Sequence, residues 1–547
     1  MNKQTFQIIL FKVGEKFLNY ILNLDGVIFE DKGFSYEQLV SDLYGFNQGQ
    51  VEVLEKLNSY IQQSEFISAQ NPNTTIKLFL LDYGNIFNEM RRFCGGDVLS
   101  RETDSKFLNF LLQKATEYYP SILISDIPKF NSFFDDNIMS NNPIRMSRDE
   151  SELVFNLFRE DTSLSKFLYC MNDEHFSSFI RYQTENHQIS CYVFNFVGNF
   201  LLSSFQNCCY RTQYSLEDFL NDIELQYYNL VRLANNEVID FSYFTGIYGL
   251  RLDGVDEFKV SKNVVIRNIN EKNNPCAKNT ISIGTNQTHI KAILGCVLEY
   301  KTNAKLLDKN IQTVEINSPN YINAVRNNFQ TATILALQTI RAPFSFTFST
   351  DSIPLSSSTP IHTNNNTGMS ILSLEQLFAI KEWYEILEKI DLKFVDLTIH
   401  RIKSAIYNRE YHIDSILDAF IAWESMFSSE ISTTKSVTKS IEKILQRAKY
   451  EIKSKKLNDL YALRSSIVHG NPKQHELIKS KDPQNPLYEQ EKIKEEVISI
   501  ALTTLKVLVK DKELIEKTPR QRVEYLLAPT TEVCEKCESK KYRIEKN

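Results

Sequence analysis

The sequence lacks any uninterrupted run of about 18 apolar residues, the length that a membrane-spanning helix needs. Its first apolar run, FQIILF, ends at Lys12 and is too short for a secretory signal peptide. The nine cysteines are few for 547 residues, odd in number and scattered, so they do not indicate a disulfide framework. We therefore expect reduced thiols, a cytoplasmic location and no membrane partner.

Common motifs for nucleotides and catalytic zinc are also missing. The sequence contains no G-x-x-x-x-G-K-[ST], no G-x-G-x-x-G and no H-E-x-x-H, which argues against a P-loop, a dinucleotide fingerprint and zinc-protease chemistry. We therefore expect no cofactor. Cys534 and Cys537 form one C-x-x-C pair, which is half of a structural zinc site. The pair either completes a zinc site with distant ligands, as in a zinc-bound regulatory protein, or is a plain thiol pair.

Neither sign of charge dominates the chain. The net charge is −6 and 24% of the residues are charged, so a nucleic-acid site must be a local basic patch. Residues 431–460 form such a patch, with eight Lys or Arg against three acidic residues. This composition favours RNA contact, although a solvated helix face explains it equally well. The candidate RNA-binding residues are Lys435, Lys439, Lys443 and Arg447.

The apolar pattern predicts an α+β chain that is mostly α, in which a helical and mixed α/β N-terminal region precedes a C-terminal all-α bundle. Apolar residues recur at helical spacing in the first part, strand-like segments such as FSFTFST follow, and a stretch rich in Ser, Thr, Asn and Pro comes next. The predicted domains are a mainly helical region at 1–180, a mixed α/β domain at 181–350, a linker at 351–372, a helical domain at 373–528 and a charged tail at 529–547.

Individual elements are predicted from the same pattern. The apolar run ISCYVFNFVGNFLL favours a buried strand pair, whereas LEDFLNDIELQYYNLVRLANN and NYINAVRNNFQTATILALQTI favour helices. The predicted helices of the C-terminal bundle lie at about 374–390, 395–410, 413–429, 434–453, 457–469, 490–510 and 519–527.

One charged residue falls on an apolar helix face in this bundle. In KKLNDLYALRSSIVHGNP, Arg464 lies among Leu457, Leu460, Tyr461 and Val468 at helical spacing. A buried charge without a partner is costly, so Arg464 requires a carboxylate. The preceding helix, IDSILDAFIAWESMF, places Glu424 on its own apolar face. We therefore predict an ion pair between Glu424 and Arg464 across two packed helices.

His469 follows Arg464 by five residues, a step that turns an ideal helix to about 140° away. Gly470 and Pro472 predict that the helix ends there, so that His469 lies at its C-terminus, where a cation is favoured. A structural ion pair with a histidine at the helix end explains both residues without any chemistry.

The segment Arg464-Ser-Ser-Ile-Val-His469 resembles the R-x4-6-H signature of the HEPN superfamily of ribonucleases. Its context, LDAFIAWESMFSSEIS followed by KSIEKIL and LRSSIVHG, resembles the ApeA-like HEPN group over roughly residues 400–525. This resemblance implies a HEPN helical bundle that cleaves RNA without a metal, usually as a homodimer. It implies that Arg464 holds the scissile phosphate, that His469 moves a proton, and that Ser465 or Ser466 donates a further hydrogen bond.

The resemblance also implies a biological role. ApeA-like HEPN proteins act in bacterial defence against phage, which implies a toxic effector that causes abortive infection by cutting RNA, with tRNA as one candidate target. The N-terminal region would then sense a phage-derived trigger or restrain the nuclease. Active HEPN nucleases often carry Asn, Asp or His directly after the Arg, where this chain has Ser465. The alternative is therefore a catalytically inactive HEPN scaffold that binds RNA or protein.

Overall fold

The structure is a computed structural model that describes residues 1–24, 26–27, 29, 38–70, 84–124, 148–170, 178–184, 187–269, 278–282, 289–308, 313–316, 319–352, 359–360, 370–409, 411–427, 433–469 and 487–528. The chain is mixed α+β and mostly helical, as the sequence predicts. The described residues fall into two compact units, one within Met1–Val325, Phe344–Thr363 and Met369–Leu374, and the other within Arg326–Pro343 and the chain from Glu375 onward.

Helices form the first part of the first unit. Local capping explains where one of the longest begins, because Ser105 accepts a hydrogen bond from the backbone N–H of Leu108. One face of that helix is buried around Phe107 and Leu111. The helices are α1 (Lys3–Val13), α2 (Glu15–Ile21), α3 (Val40–Tyr44), α4 (Gln48–Gln70), α5 (Gly84–Phe93), α6 (Lys106–Ile122) and α7 (Arg148–Glu160).

A mixed, largely antiparallel sheet follows, with the spatial order β1-β2-β10-β9-β4-β11-β12 among the described strands. Its centre is β9, which pairs antiparallel with the whole of β4, from Ile239 opposite Ala304 to Tyr248 opposite Leu294. The strands are β1 (Leu168–Cys170), β2 (Ser178–Thr184), β3 (His187–Tyr192), β4 (Ile239–Tyr248), β5 (Leu250–Leu252), β6 (Glu257–Lys259), β7 (Val264–Asn268), β8 (Lys278–Ser282), β9 (His289–Asp308), β10 (Thr313–Ile316), β11 (Ser345–Asp351), β12 (Thr359–Pro360) and β13 (Ser370–Leu372).

The strand pair predicted for ISCYVFNFVGNFLL is wrong in its second half. Only the first part is a strand, β3, and helix α8 (Val193–Tyr210) starts directly after it. Phe196 and Phe200, four residues apart, are both buried, as are Val197 and Leu201. When a helix is buried on most sides, nearly all of its residues are apolar, and the 3.6-residue spacing of polar and apolar positions disappears. The sequence of such a helix then looks the same as that of a buried strand. The helices predicted next along the chain are present as α9 (Leu216–Ala234) and α10 (Pro319–Leu337).

The predicted linker at 351–372 contains paired strands at its described positions. Thr359 and Pro360 pair with β11, and β13 runs parallel to β5, with Leu372 opposite Leu252. The side chain of Leu372 is buried. The backbone of β13 obtains its hydrogen bonds from β5, about 120 residues earlier in the chain. A segment rich in Ser, Thr, Asn and Pro does not form such bonds within itself.

A buried ion network links α8 to the sheet in the first unit. Arg211 lies 2.9 Å from Asp222 and 3.2 Å from Glu299, and Arg267 also pairs with Glu299. Burial disfavours ionisation of Glu299, but the two guanidinium groups outweigh burial and lower the pKa of this carboxyl. Glu299 therefore stays ionised and holds the end of α8 against β7 and β9.

Lys16 on α2 provides a test of burial energetics in this unit. Its ammonium lies 2.8 Å from the centroid of the Tyr214 ring, and burial lowers its pKa to about 7. Between pH 7 and pH 10.5 the unfolded chain therefore binds a proton that the folded chain does not, so this lysine destabilises the fold increasingly as pH falls through that window. We expect Lys16→Met to stabilise the protein by about 2 kcal/mol at pH 6.5 and by much less at pH 9.5.

Urea denaturation followed by circular dichroism at both pH values measures this difference. Lys106→Met is the matched control, because the Lys106 side chain is 80% exposed. A stabilisation by Lys16→Met that is the same at both pH values contradicts the expectation.

The second unit is a helical bundle, and most of the helices predicted for 373–528 are present near their predicted bounds. The prediction for 434–453 is wrong at its end, because that helix stops at Arg447 and a turn with Lys449 in the left-handed region follows it. Thr518 and Gln521 form a capping box at the start of its last helix, with Pro519 at the first helical position. The second half of α10 also belongs to this unit. The other helices are α11 (Leu374–Lys389), α12 (Asp396–Lys403) with a π-helical turn at Ser404–Asn408, α13 (His412–Met426), α14 (Thr433–Arg447), α15 (Ser454–His469), α16 (Tyr488–Lys510), α17 (Lys512–Ile515) and α18 (Pro519–Leu527).

Within the described part of the chain, no helix combines the length and the apolar content that a membrane-spanning segment needs.

Candidate functional site

The predicted ion pair between Arg464 and Glu424 is present. The Arg464 Nε lies 3.2 Å from Glu424 Oε1, and Nη2 donates a hydrogen bond to Oε2 at 3.2 Å. The pair therefore consists of one hydrogen bond, from Nη2, and a second close contact from Nε, and the two hold the guanidinium against the carboxylate. The Arg464 side chain is 29% exposed, so the pair lies at the edge of the apolar interface between α13 and α15 rather than inside it.

Tyr461 completes this cluster and is missing from the residues that the sequence indicated. Its hydroxyl donates to Glu424 Oε1 at 2.5 Å, three residues before Arg464 on the same helix. Burial and the neighbouring carboxylate raise the pKa of Tyr461, so it remains a neutral donor. The only signal in the sequence is its i−3 spacing from Arg464, which places both side chains over the same part of α13.

Aromatic packing holds the backbone of α13 behind Glu424. Trp423 is fully buried, and its indole N–H donates to the carbonyl oxygen of Val497 on α16 at 3.2 Å. The Phe420 ring makes edge contacts with Trp423 and with Tyr461, at 5.1 and 6.2 Å between centroids. Glu424 therefore projects from a helix that is held by packing. A residue that orients an arginine needs such a fixed backbone.

His469 is the last residue of α15 and is exposed. The helix is continuous from Arg464 to His469, so the step of about 140° between them holds, with a rise of about 7.5 Å. Within one chain the two side chains therefore leave the helix in different directions. Val468, which the sequence pattern placed on the apolar face of this helix, is 51% exposed and lies next to His469.

The two serines of the motif differ in their availability. Ser466 is buried, and its hydroxyl donates to the carbonyl oxygen of Ala462 at 2.9 Å, one helical turn earlier. Ser465 is exposed. Of the two, Ser465 is the one that can donate a hydrogen bond to a bound molecule.

The candidate RNA-binding residues all lie on the exposed face of α14, opposite the buried Val437 and Ile441. Arg447 is occupied, because its Nη1 lies 2.9 Å from Asp511 and its guanidinium lies over the Tyr525 ring. The other three form no ion pair or side-chain hydrogen bond with any residue that the structure describes: Lys435, Lys439 and Lys443.

A second residue that the sequence did not indicate is Arg522 on α18, which is fully buried. Its guanidinium donates to backbone carbonyl oxygens at 2.9 to 3.4 Å, and burial lowers its pKa to about 10, so that it is still charged at neutral pH. One of these oxygens belongs to Met426, the last residue of α13 and two residues after Glu424. The acceptors are the carbonyls of Leu514, Ile515, Phe394 and Met426.

Cys534 and Cys537 lie outside the described residues. In the ranges that the structure does describe, no group of three or more His, Cys, Asp or Glu side chains is placed to hold a metal ion.

Comparison of the chain with protein-family models, with curated proteins and with solved structures found no significant match.

Proposed function

We propose that this chain is a HEPN-type endoribonuclease that cleaves RNA without a metal ion. The observation that carries the proposal is the ion pair between Glu424 and Arg464, on a helix that ends five residues later at the exposed His469. An arginine held by a carboxylate, with a histidine at the end of the same helix, provides the groups that RNA cleavage requires. The resemblance of Arg464–His469 to the R-x4-6-H signature supports the same function.

The proposed reaction is an internal transfer of the phosphodiester. The ribose 2′-OH attacks the adjacent phosphorus, the bond to the 5′ oxygen breaks, and the products are a 2′,3′-cyclic phosphate and a 5′-OH. His469 moves a proton in this reaction as a general acid or base. The proton lost by the 2′-OH is balanced by the one that the leaving oxygen gains.

Arg464 stabilises the negative charge that develops on the phosphate. The guanidinium has five N–H donors and uses one of them, on Nη2, in its hydrogen bond to Glu424, so donors remain for phosphate oxygens. Glu424 and Tyr461 do not touch the substrate in this proposal. They are positioning residues, which hold the guanidinium so that no reorganisation is needed when the charge develops.

A homodimer is part of the proposal. Because the helix directs Arg464 and His469 about 140° apart, one copy of the motif does not enclose a phosphate by itself. Two copies of α15 that meet at their C-terminal ends would bring two such pairs to one cleft. The exposed Val468 beside His469 gives that end of the helix an apolar surface.

The wider role rests on the resemblance alone. We propose a cytoplasmic antiviral effector that cuts RNA, with tRNA as one candidate target, when the N-terminal region responds to a phage-derived trigger. The N-terminal region would otherwise restrain the nuclease.

Incubation of the purified full chain with total tRNA in EDTA tests the nuclease proposal. We expect products with 2′,3′-cyclic phosphate ends from the wild type, and none from the same RNA carrying 2′-O-methyl groups, since the attacking hydroxyl is then blocked. His469→Ala in a parallel reaction detects a contaminating nuclease. Cleavage of the methylated RNA, or cleavage that disappears in EDTA, would contradict the proposed chemistry.

A catalytically inactive HEPN scaffold is the second candidate. The occupied Arg464 favours it, because a partly buried guanidinium paired to Glu424 has a structural role whether or not a phosphate binds. A scaffold binds RNA or protein equally well as wild type and as His469→Ala, and neither form cleaves RNA. If the His469→Ala variant still protects cells against phage, the inactive scaffold is the function that fits and the nuclease is not.

A further inference from the structure

Helix α14, the turn after it and the start of α15 together carry a dense positive charge. Between residues 433 and 456 there are eight Lys or Arg and two acidic residues, Glu442 and Glu451. Arg447 pairs with Asp511, and Lys456 pairs with Glu496. The other six form no ion pair or side-chain hydrogen bond with any described residue: Lys435, Lys439, Lys443, Lys449, Lys453 and Lys455.

The backbone of this turn is unusual at Lys449. Its φ is 55°, in the left-handed region that glycine normally occupies where a helix ends. The conformation is fixed by two hydrogen bonds, from the N–H of Lys449 to the Gln446 carbonyl and from the N–H of Tyr450 to the Leu445 carbonyl. A glycine would adopt this backbone conformation at a lower free-energy cost, yet position 449 is a lysine. The turn therefore carries a positive charge at Lys449, and the aromatic residue Tyr450 follows directly.

Tyr450 is exposed at this turn. Its side chain is 44% exposed and makes no ring contact or hydrogen bond with another residue in the described part of the chain. Lys449 precedes it, and Glu451 and Lys453 follow it within three residues. An aromatic face between unpaired lysines matches a nucleic-acid strand whose bases are accessible, because the ring stacks on a base while the ammonium groups contact phosphates.

We propose that the turn between α14 and α15 binds single-stranded RNA, with Tyr450 stacking on one base and the flanking lysines holding the backbone. The proposal rests on the proposed nuclease function for its biological meaning, and it names the form of substrate. Lysines alone would attract any polyanion, but the exposed ring selects a strand with unpaired bases, since a duplex hides the faces of its bases.

The position of the turn relative to the candidate site sets the length of RNA involved. Helix α15 starts four residues after Tyr450, and Arg464 lies ten residues further along it, a rise of about 15 Å. Several nucleotides of single strand span that distance. We therefore expect substrates with a single-stranded segment of several nucleotides beside the scissile phosphate to be bound most tightly.

Binding of single-stranded 2′-O-methyl RNA to the full chain tests the proposal without cleavage. We expect Tyr450→Ala to raise the Kd by about 5- to 150-fold, the usual loss for one base–aromatic stack, and Tyr450→Phe to change it less than about twofold. The matched control is Tyr411→Ala, since Tyr411 is 70% exposed in the same unit. Tryptophan fluorescence and circular dichroism verify that each variant is folded.

Salt dependence separates the two contributions. Tyr450→Ala is expected to leave the slope of log Kd against log salt unchanged, whereas Lys449→Gln or Lys453→Gln lowers it by about 0.7 each. A Tyr450→Ala variant that binds like wild type overturns the proposal, as does equal affinity for duplex and single strand. Displacement of the RNA by polyglutamate at equal charge concentration also overturns it, in favour of an acidic protein partner.

The nuclease proposal and the proposal of an RNA-binding turn can be refuted independently of each other. Loss of cleavage with an unchanged Kd for methylated RNA refutes the nuclease and leaves this site intact. Cleavage by Tyr450→Ala with wild-type Kd and rate refutes this site and leaves the nuclease intact.

Discussion

Replacement of His469 by alanine is expected to lower the rate of RNA cleavage by about 10²- to 10⁴-fold, the range that a lost general acid or base produces. His469 is exposed at the end of α15, so its removal leaves no cavity and no unpaired buried group. The free energy of unfolding should therefore change by less than about 0.5 kcal/mol. A large loss of rate without loss of stability distinguishes a proton-transfer residue from a structural one.

Single-turnover cleavage of an end-labelled RNA measures the rate, and tryptophan fluorescence in urea measures the stability. His400→Ala is the matched control, because His400 is also an exposed histidine of the bundle, at the end of α12. Equal cleavage by wild type and His469→Ala would remove His469 from the reaction. Equal losses in His469→Ala and His400→Ala would indicate a general effect of charge on RNA binding.

The double variant with Arg464→Ala adds a second criterion. Groups that act in one step are strongly non-additive, so the double variant should be only slightly slower than His469→Ala alone. Arg464→Ala also removes the partner of Glu424, and its stability must be measured together with its rate. Losses of rate that multiply would mean that the two residues act in independent steps.

The bundle and the Glu424–Arg464 pair were predictable from the sequence because both follow from local rules. Helical spacing marked the helices, and each of these charged residues fell on the apolar face of its helix. The cost of leaving either charge unpaired then required that they meet. Distances across the interface add the hydrogen bond from Nη2 and the close approach of Nε, which no spacing rule contains.

Other features depend on information that is not local. Helix α8 was missed because a run from Phe196 to Leu201 that is buried on most sides has no polar side to reveal its period. The pairing of β13 with β5 joins Leu372 and Leu252, which are far apart in the chain. The sequence pattern places Tyr461 on the apolar face of α15, and the structure adds the hydrogen bond from its hydroxyl to Glu424.

Arg522 could not be found by pattern for a different reason. Its partners are backbone carbonyl oxygens, which every residue has, so no residue type marks them. A fully buried arginine that donates to four carbonyls ties three parts of the second unit together: the end of α13, the segment before α12, and α17. Such a residue determines whether α13 ends at a fixed position behind Glu424.

Arg522→Met is expected to destabilise the second unit by about 3 to 5 kcal/mol. Methionine fills most of the volume but donates no hydrogen bond, so buried carbonyl oxygens lose their donor, at a cost of about 1 to 3 kcal/mol for each one that water does not reach. Relief of the desolvation of a buried charge offsets part of this cost. Arg522→Lys should fall between wild type and methionine, because an ammonium retains the charge but has only three donors.

The two tryptophans of the chain make this prediction specific to the second unit. Trp383 and Trp423 are both buried in the bundle, so tryptophan fluorescence in urea follows the bundle and not the first unit. Arg520→Met is the control, since Arg520 lies two residues away on α18, is 65% exposed and pairs with Glu524 at the surface. A midpoint for Arg522→Met that matches that of Arg520→Met would show that the four carbonyls find other donors. The end of α13 would then be held by the packing of Phe420 against Trp423 and Tyr461, and Glu424 would be positioned by that packing and by the hydrogen bond from Tyr461 rather than by the buried guanidinium.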